Sequence, residues 1–294
     1  MQKLHNNEAW YIGVDGGGTK THAILVNQDL KQIDEAFSGP ANIATDVEGA
    51  YISICEAVDS LLDRHNQQVK GIGIGVAGYS VTQNRNVLLT KLQKKYENVV
   101  LNSDCHIACL AAHKNKDGAI IICGTGVVAY SIYKGQTRQL GGWGFPHGDL
   151  GGGAYLGLEI ASLLCKAIDG LILWNSTLND VYTDFFEQDS HKCKMWLINA
   201  KPADYAKITQ FIFSRPLDEF SNKLLEYGIN EISELIVALK KSNTDLPLKL
   251  VGGLAKLYID KLQEKYPELE LSIVDPAFGA VLLQRPDIIK SVMY

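Results

Sequence analysis

Short apolar runs separated by glycine turns alternate along this chain with stretches whose apolar residues recur at helical spacing. Trp10 to Asp15, Thr21 to Val26 and residues 31–38 predict three strands joined by tight turns, a β-meander. From Asp46 to His65 the apolar positions Val47, Ala50, Tyr51, Ile54, Val58, Leu61 and Leu62 lie on one helical face. Val69 to Ala77 predicts a buried strand, Asn84 to Tyr96 a helix and Val99 to Asn102 another strand. Asp104 then opens a helix running to about His113. The order is β-β-β-α-β-α-β-α.

The rhythm restarts after residue 117. Gly118 to Cys123, Gly126 to Tyr133 and Thr137 to Leu140 predict a second meander, again with a glycine turn after its first strand. A glycine-rich loop (141–153) precedes helices predicted near 153–169, 176–187, 190–198, 204–213 and 216–241. Leu248 to Val251 and Leu269 to Val274 predict strands on either side of a helix from Lys256 to Lys265, and Pro276 to Leu283 a last helix. The halves read as diverged copies of one α/β unit, with helices inserted in the second. The repetition is of element order and not of residues. No low-complexity linker divides them, so the boundary is placed near residue 117, giving domains 1–117 and 118–294.

Composition narrows the function classes. A chain of 294 residues accommodates two such domains, each with its own core. Lys plus Arg number 28 against 33 Asp plus Glu, a net charge of −5 with no basic run. That balance argues against nucleic acid or an anionic membrane surface as partner. No segment approaches the roughly 18 apolar residues of a membrane span. The start, MQKLHNNEAW, lacks the apolar core of a leader. The six cysteines fall mostly in apolar stretches and read as small buried hydrophobes; Cys105 and Cys109 are spaced i, i+4 but nothing completes a zinc pattern. The expectation is a reduced, cytoplasmic protein.

Several segments carry candidate chemistry. In Val14-Asp15-Gly16-Gly17-Gly18-Thr19-Lys20-Thr21, three glycines let backbone N–H groups approach a phosphate, Thr19 adds a hydroxyl, and Asp15 is an oxygen ligand suited to Mg²⁺. Read alone, it serves equally as a hairpin turn. Cys123-Gly124-Thr125-Gly126 occupies the equivalent turn of the second half, and two such turns facing across a cleft suit a triphosphate. Asp104 sits where a strand passes into a helix. It is either a helix N-cap or a base for an attacking hydroxyl. The loop from Gly141 to Gly153 holds seven glycines in 13 residues together with Trp143 and Phe145, whose exposure would waste apolar surface, so a shaped binding loop is expected. Gly142, Trp143 and Asp149 are its candidate sugar contacts, and His147 reads as a structural hydrogen-bonding residue. Asn42, in Ser38-Gly39-Pro40-Ala41-Asn42, offers donor and acceptor but taken alone reads as a turn residue. Gly252 and Gly253, between a strand and a helix, admit an adenosine or simply a tight connection.

With these residues in place, the chain resembles the BadF/BadG/BcrA/BcrD-type ATPases of the acetate and sugar kinase, heat-shock cognate and actin superfamily. Its glucosamine and N-acetylglucosamine kinases are the nearest branch. The resemblance spans Tyr11-Ile-Gly-Val-Asp-Gly-Gly-Gly-Thr through Phe145-Pro-His-Gly-Asp-Leu-Gly-Gly-Gly-Ala to Asp275-Pro-Ala-Phe-Gly-Ala. It implies an α/β fold of two ribonuclease-H-like domains with mixed five-stranded sheets facing a central cleft. It implies ATP and Mg²⁺, with Asp15 near the metal and Gly16, Gly17, Gly18, Thr19, Lys20, Gly124, Thr125 and Gly126 on the phosphates. Gly252 and Gly253 match its adenosine motif, Asp104 its catalytic aspartate, and Asn42 and Asp149 its sugar contacts. The substrate expected is a small amino sugar phosphorylated at the 6-hydroxyl. Val127 departs from the pattern, since many relatives carry Ser there. Two alternatives stand beside this reading: an ATPase activator of a 2-hydroxyacyl-CoA dehydratase type, which needs exposed cysteines for an iron–sulfur cluster, and a non-catalytic sugar sensor. Oligomeric state stays open, a homodimer being one option the resemblance allows.

Overall fold

The computed structural model describes residues 9–65, 67–241 and 245–285; the polar start at 1–8 lies outside the described residues. Two compact units emerge. The first is built on β1 (Trp10–Gly16), β2 (Thr21–Val26), β3 (Gln32–Ser38), α1 (Val47–Arg64), β4 (Val69–Val76), α2 (Thr82–Lys95), β5 (Val99–Ser103) and α3 (Asp104–His113). The chain next forms β6 (Gly118–Cys123), β7 (Val127–Tyr133), β8 (Gln136–Gly141), α4 (Gly153–Ile168), α5 (Ser176–Phe186) and α6 (Ser190–Asn199). It continues with α7 (Pro202–Phe213), α8 (Glu219–Lys240), β9 (Leu248–Val251), α9 (Ala255–Lys265), β10 (Glu270–Leu271) and α10 (Pro276–Gln284).

Each unit holds a five-stranded sheet. The first runs β3-β2-β1-β4-β5 and the second β8-β7-β6-β9-β10, the same order element for element. In the first, β1 pairs antiparallel with β2 and parallel with β4. The repetition read from element order is therefore a repetition of sheet topology.

The first sheet has two unlike faces, and the sequence of β4 shows why. In Val-Lys-Gly-Ile-Gly-Ile-Gly-Val, alternate residues point to opposite sides, so Ile72, Ile74 and Val76 line one face and Gly71, Gly73 and Gly75 the other. The branched face joins Ile12, Val14, Ala23 and Leu25 in a core closed by α1, whose Ile54, Val58 and Leu61 are fully buried. Burying one such side chain contributes about 1.5–3 kcal/mol. The glycine face admits helix backbone. A Cβ on Gly13 would lie 2.0 Å from the Ala277 carbonyl oxygen, and one on Gly73 would lie 1.8 Å from that of Ala280. Between the helices, a Cβ on Gly279 would meet the Ile107 carbonyl oxygen at 1.8 Å. So α10 rests on the sheet, and α3 on α10, at backbone distance.

This packing moves one boundary. The sequence division gave 118–294 to the second domain, whereas the first unit comprises the described residues of Met1–Gly118 together with those of Ile273–Tyr294. The segment returns to seat α10 on the glycine face of β1 and β4. The same return shortens the last strand. Leu269 to Val274 was expected, but pairing covers Glu270–Leu271 alone, and Ile273 is 82% exposed where the chain leaves the sheet.

The second unit has one core between its sheet and α8 and α9, with Ile232, Ile236, Tyr258 and Leu262 buried. A satellite core among α4 to α7 holds Ile160, Leu164, Phe186 and Ile208. These are the inserted helices. Among the described residues no helix is long and apolar enough to cross a membrane.

Gly73→Ala is expected to lower unfolding free energy by on the order of 3 kcal/mol through overpacking against α10. Gly253→Ala, whose Cβ meets nothing within 4 Å, should change it by less than about 0.5 kcal/mol. Urea unfolding midpoints of the two variants check the contrast.

Candidate active site

In the first unit the candidate residues gather at the carboxyl ends of the parallel strands, where open α/β sheets place ligands. Asp15 ends β1. The turn after it is closed by the Gly17 N–H donating to the Lys20 carbonyl at 2.9 Å, and Gly18, Thr19 and Lys20 are exposed. The loop bearing Asn42 lies against this turn: the Ala41 N–H donates to the Gly17 carbonyl at 2.8 Å. Asn42 bridges to Ala77, just past β4. Its Oδ1 accepts the Ala44 N–H at 2.9 Å, so the residue does make a turn, yet the turn stands beside the glycines.

Asp104 begins α3 at the end of β5. Its neighbour Ser103 caps the helix by accepting the His106 N–H at 3.0 Å. Asp104 is thus relieved of capping, and its Oδ1 accepts the Cys105 N–H at 2.7 Å. Of the two readings open for this residue, the cap belongs to Ser103.

The electrostatics of this corner are those of crowded carboxylates. Burial, then the charges of Asp104 and Asp275, push the Asp15 carboxyl up to about 7, against weaker opposition from His22 and Lys20. Burial also raises Asp104. Asp275 was not singled out from the sequence. It caps α10 by accepting the Ala277 N–H at 2.8 Å, and its Oδ2 lies 2.9 Å from Nδ1 of His22. Burial pushes its carboxyl up, but these hydrogen bonds and the His22 and Lys20 charges outweigh burial and hold it below the ordinary value. His22 is the cross-strand partner of Asp15. Its pKa is raised, chiefly by the hydrogen bond to Asp275. Asp-Pro at 275–276 is legible as a helix start, but its meeting with His22, distant in sequence, is not.

Hard oxygen donors with uncompensated negative charge fit a divalent cation such as Mg²⁺. Among the described residues no group of three or more His, Cys, Asp or Glu side chains is arranged to hold a metal by itself. Such an ion would need water or phosphate oxygens to complete its shell.

The second unit gathers its own set. Gly124-Thr125-Gly126 follows β6, and α4 begins directly beneath: the Gly153 N–H donates to the Gly124 carbonyl at 2.9 Å and the Ala154 N–H to that of Thr125 at 2.8 Å. Asp149 is wedged against the turn. A Cβ on Gly126 would lie 2.5 Å from its Cγ, and its carboxylate accepts the Val127 N–H. Burial nevertheless raises its pKa. Gly252 and Gly253 are exposed after β9. Gly252 has φ +100°, and a Cβ there would come 2.4 Å from the Cys123 carbonyl oxygen, so this corner also touches the turn.

The glycine-rich loop is shaped, but not as its aromatics suggested. Phe145 packs near Tyr205, with ring centroids 5.4 Å apart. Trp143 is 88% exposed, because the left-handed backbone at Gly141, Gly142 and Gly144 turns the loop outward. His147, expected to serve a structural hydrogen bond, is exposed. Trp143, His147 and Asp149 line a cavity of about 180 Å³ with Glu231, Glu234 and Leu235 of α8. The two glutamates carried no sequence signal beyond an ordinary solvated helix face. None of the six cysteines is in a disulfide; five are buried and Cys165 is partly exposed.

Two sheets of this order, each with a glycine turn after its first strand, define the ribonuclease-H-like fold of the actin-like ATPases. The chain belongs to the BadF/BadG/BcrA/BcrD ATPase family, whose sequence profile matches residues 12–284. A glucosamine kinase of Vibrio cholerae is 30% identical over 279 residues, covering 92% of this chain and 93% of its own length. An N-acetylmuramic acid/N-acetylglucosamine kinase of Clostridium acetobutylicum is 26% identical over 303 residues, covering 95% and 99%. The solved structure of a candidate N-acetylglucosamine kinase from Chromobacterium violaceum superimposes with a TM-score of 0.83 at 27% identity, covering 94% and 99%.

The raised Asp15 pKa makes stability depend on pH. Between its ordinary value of 3.8 and about 7, the folded chain holds a proton that the unfolded chain releases. This contribution to stability is therefore fully present below pH 3.8 and lost as pH rises through 7. Asp15→Asn should gain on the wild type by a few kcal/mol, on the order of the shift, between pH 4.5 and pH 8. Urea unfolding at both pH values in a chelating buffer measures it, and an unchanged difference contradicts it.

Proposed function

We propose that this chain is an ATP-dependent amino-sugar kinase that transfers the γ-phosphate to the 6-hydroxyl of glucosamine, with N-acetylglucosamine the next candidate. The observation that carries the reading is Asp104: a partly buried carboxylate, spared from capping, within electrostatic reach of Asp15. Names borne by relatives at 26% and 30% identity support the sugar class.

In this reading Asp104 orients the attacking hydroxyl on the γ-phosphorus and accepts its proton. A carboxylate of raised pKa is the better acceptor. The Cys105 N–H donates to Asp104 Oδ1 at 2.7 Å and so fixes the orientation of the carboxylate. Gly16 to Lys20 and Gly124 to Gly126 present backbone and side-chain donors to the phosphates, which stabilises charge spreading over the transferred group. Because Val127 has no hydroxyl, the second turn relies on its backbone. Gly252 and Gly253 leave room for the adenosine. Mg²⁺ at Asp15, when bound, supplies charge neutralisation for the β- and γ-phosphates. Asn42, Gly142, Trp143 and Asp149 contact the sugar, the exposed indole offering a flat apolar face.

The reading is of a cytoplasmic enzyme. The dehydratase-activator alternative needs accessible cysteines, and five of the six are buried.

A coupled assay of ADP release across glucosamine, N-acetylglucosamine, N-acetylmuramic acid, glucose and N-acetylmannosamine tests the proposal. Glucosamine should give the highest kcat/KM, and turnover of none would overturn the reading. Asp104→Asn should retain nucleotide and sugar affinity while kcat falls by about two decades or more. Near-normal turnover in that variant removes the base assignment.

A further inference from the structure

One charged network in the first unit has no part in the scheme above. His22 is buried in β2, 8% exposed, with a carboxylate on each ring nitrogen: Asp275 Oδ2 at 2.9 Å from Nδ1 and Glu35 Oε2 at 2.9 Å from Nε2. Both nitrogens face acceptors, and an imidazole donates from both only as the imidazolium. The ring is held flat against Phe37, with centroids 4.3 Å apart and planes 4° from parallel. Lys20 lies over the same Phe37 ring at 5.1 Å. Asp275 is pinned on its other oxygen by the Ala277 N–H at 2.8 Å. The His22 ring is thus held on both nitrogens and on one face.

Its position gives it meaning. Asp15 and His22 are directly opposed across β1 and β2, so their side chains share one face of the sheet. The turn expected to take the phosphates is the loop joining these two residues. Asp275 stands close enough for its charge to act on Asp15. The Asp275 side chain is 32% exposed, wet enough to keep its charge when unpaired, and a bare anion there would oppose a polyphosphate unless a cation pairs with it.

Resting on the nucleotide-binding reading above, we infer that His22 is a positioning residue for the nucleotide: an imidazolium clamped by Glu35 and Asp275 cancels the Asp275 charge beside the Asp15 turn and fixes the strand pair that carries it. Glu35 fastens the far side of the ring, and the cap on α10 holds Asp275 in place. The pair does not touch the hydroxyl that would be phosphorylated, so its effect belongs to nucleotide affinity and not to sugar affinity.

The test is binding of a non-hydrolysable ATP analogue with Mg²⁺ by titration calorimetry, beside the sugar KM from the ADP assay. His22→Ala uncovers the Asp275 charge and should weaken analogue binding about tenfold, the scale of one uncompensated charge nearby. The double variant His22→Ala/Asp275→Asn removes both charges and keeps a capping side chain, so affinity should return to within about threefold of wild type. Sugar KM should stay within about twofold throughout. A role confined to packing predicts the opposite, since the double variant would then bind no better than the single one. That result overturns the inference, as does equal weakening for sugar and nucleotide. Should His22→Ala fail to fold, His22→Gln keeps a donor towards Asp275 without the charge and carries the same comparison. A wild type that binds the analogue but is indifferent to His22 sinks this inference alone. A wild type that binds no nucleotide sinks the proposed function with it.

Discussion

The first unit depends on the close approach of helix backbone to a bare sheet face. Gly13 and Gly73 have carbonyl oxygens of α10 where their side chains would be, and Gly279 of α10 has that of Ile107 in α3. Interiors pack near crystal density, so a helix seated at this depth has no room for even a methyl group. The consequence reaches the chemistry. Because α10 returns to β1 and β4, its capping residue Asp275 arrives beside His22, and Asp15 acquires a second acidic neighbour besides Asp104.

That corner is arranged against its own electrostatic comfort. The charges of Asp104 and Asp275 both act on Asp15 where burial weakens screening by water. Only Asp275 is kept below its ordinary pKa, by His22 and a helix N-terminus. Clusters of perturbed carboxylates mark sites that receive charge from outside. The fold tolerates the cost because the branched face of the same sheet is densely buried.

The second unit solves a related problem with a wedge. Asp149 fills the space that a side chain at 126 would need and accepts the Val127 N–H, so one carboxylate shapes the second glycine turn from behind. The start of α4 is tied to the same turn through the Gly153 and Ala154 N–H groups. Asp149 thereby joins the turn to the cavity that Trp143 and His147 border. A residue selected from the sequence as a candidate sugar contact is also a structural part of the second glycine turn.

Much of this was legible from local pattern. Strand alternation, helical spacing and glycine turns set nearly every element, because those signals act over a few residues and burial enforces them. The glycine turns, Asp104 and the loop from Gly141 to Gly153 stood out for the same reason. Tertiary structure alone decided that residues from Ile273 onward join the first unit, that Ser103 and not Asp104 caps α3, and that Trp143 faces solvent. It alone joined His22 to Asp275. Those outcomes turn on contacts between residues far apart in sequence or on competition between adjacent side chains for one N–H, and neither leaves a periodic trace in the chain.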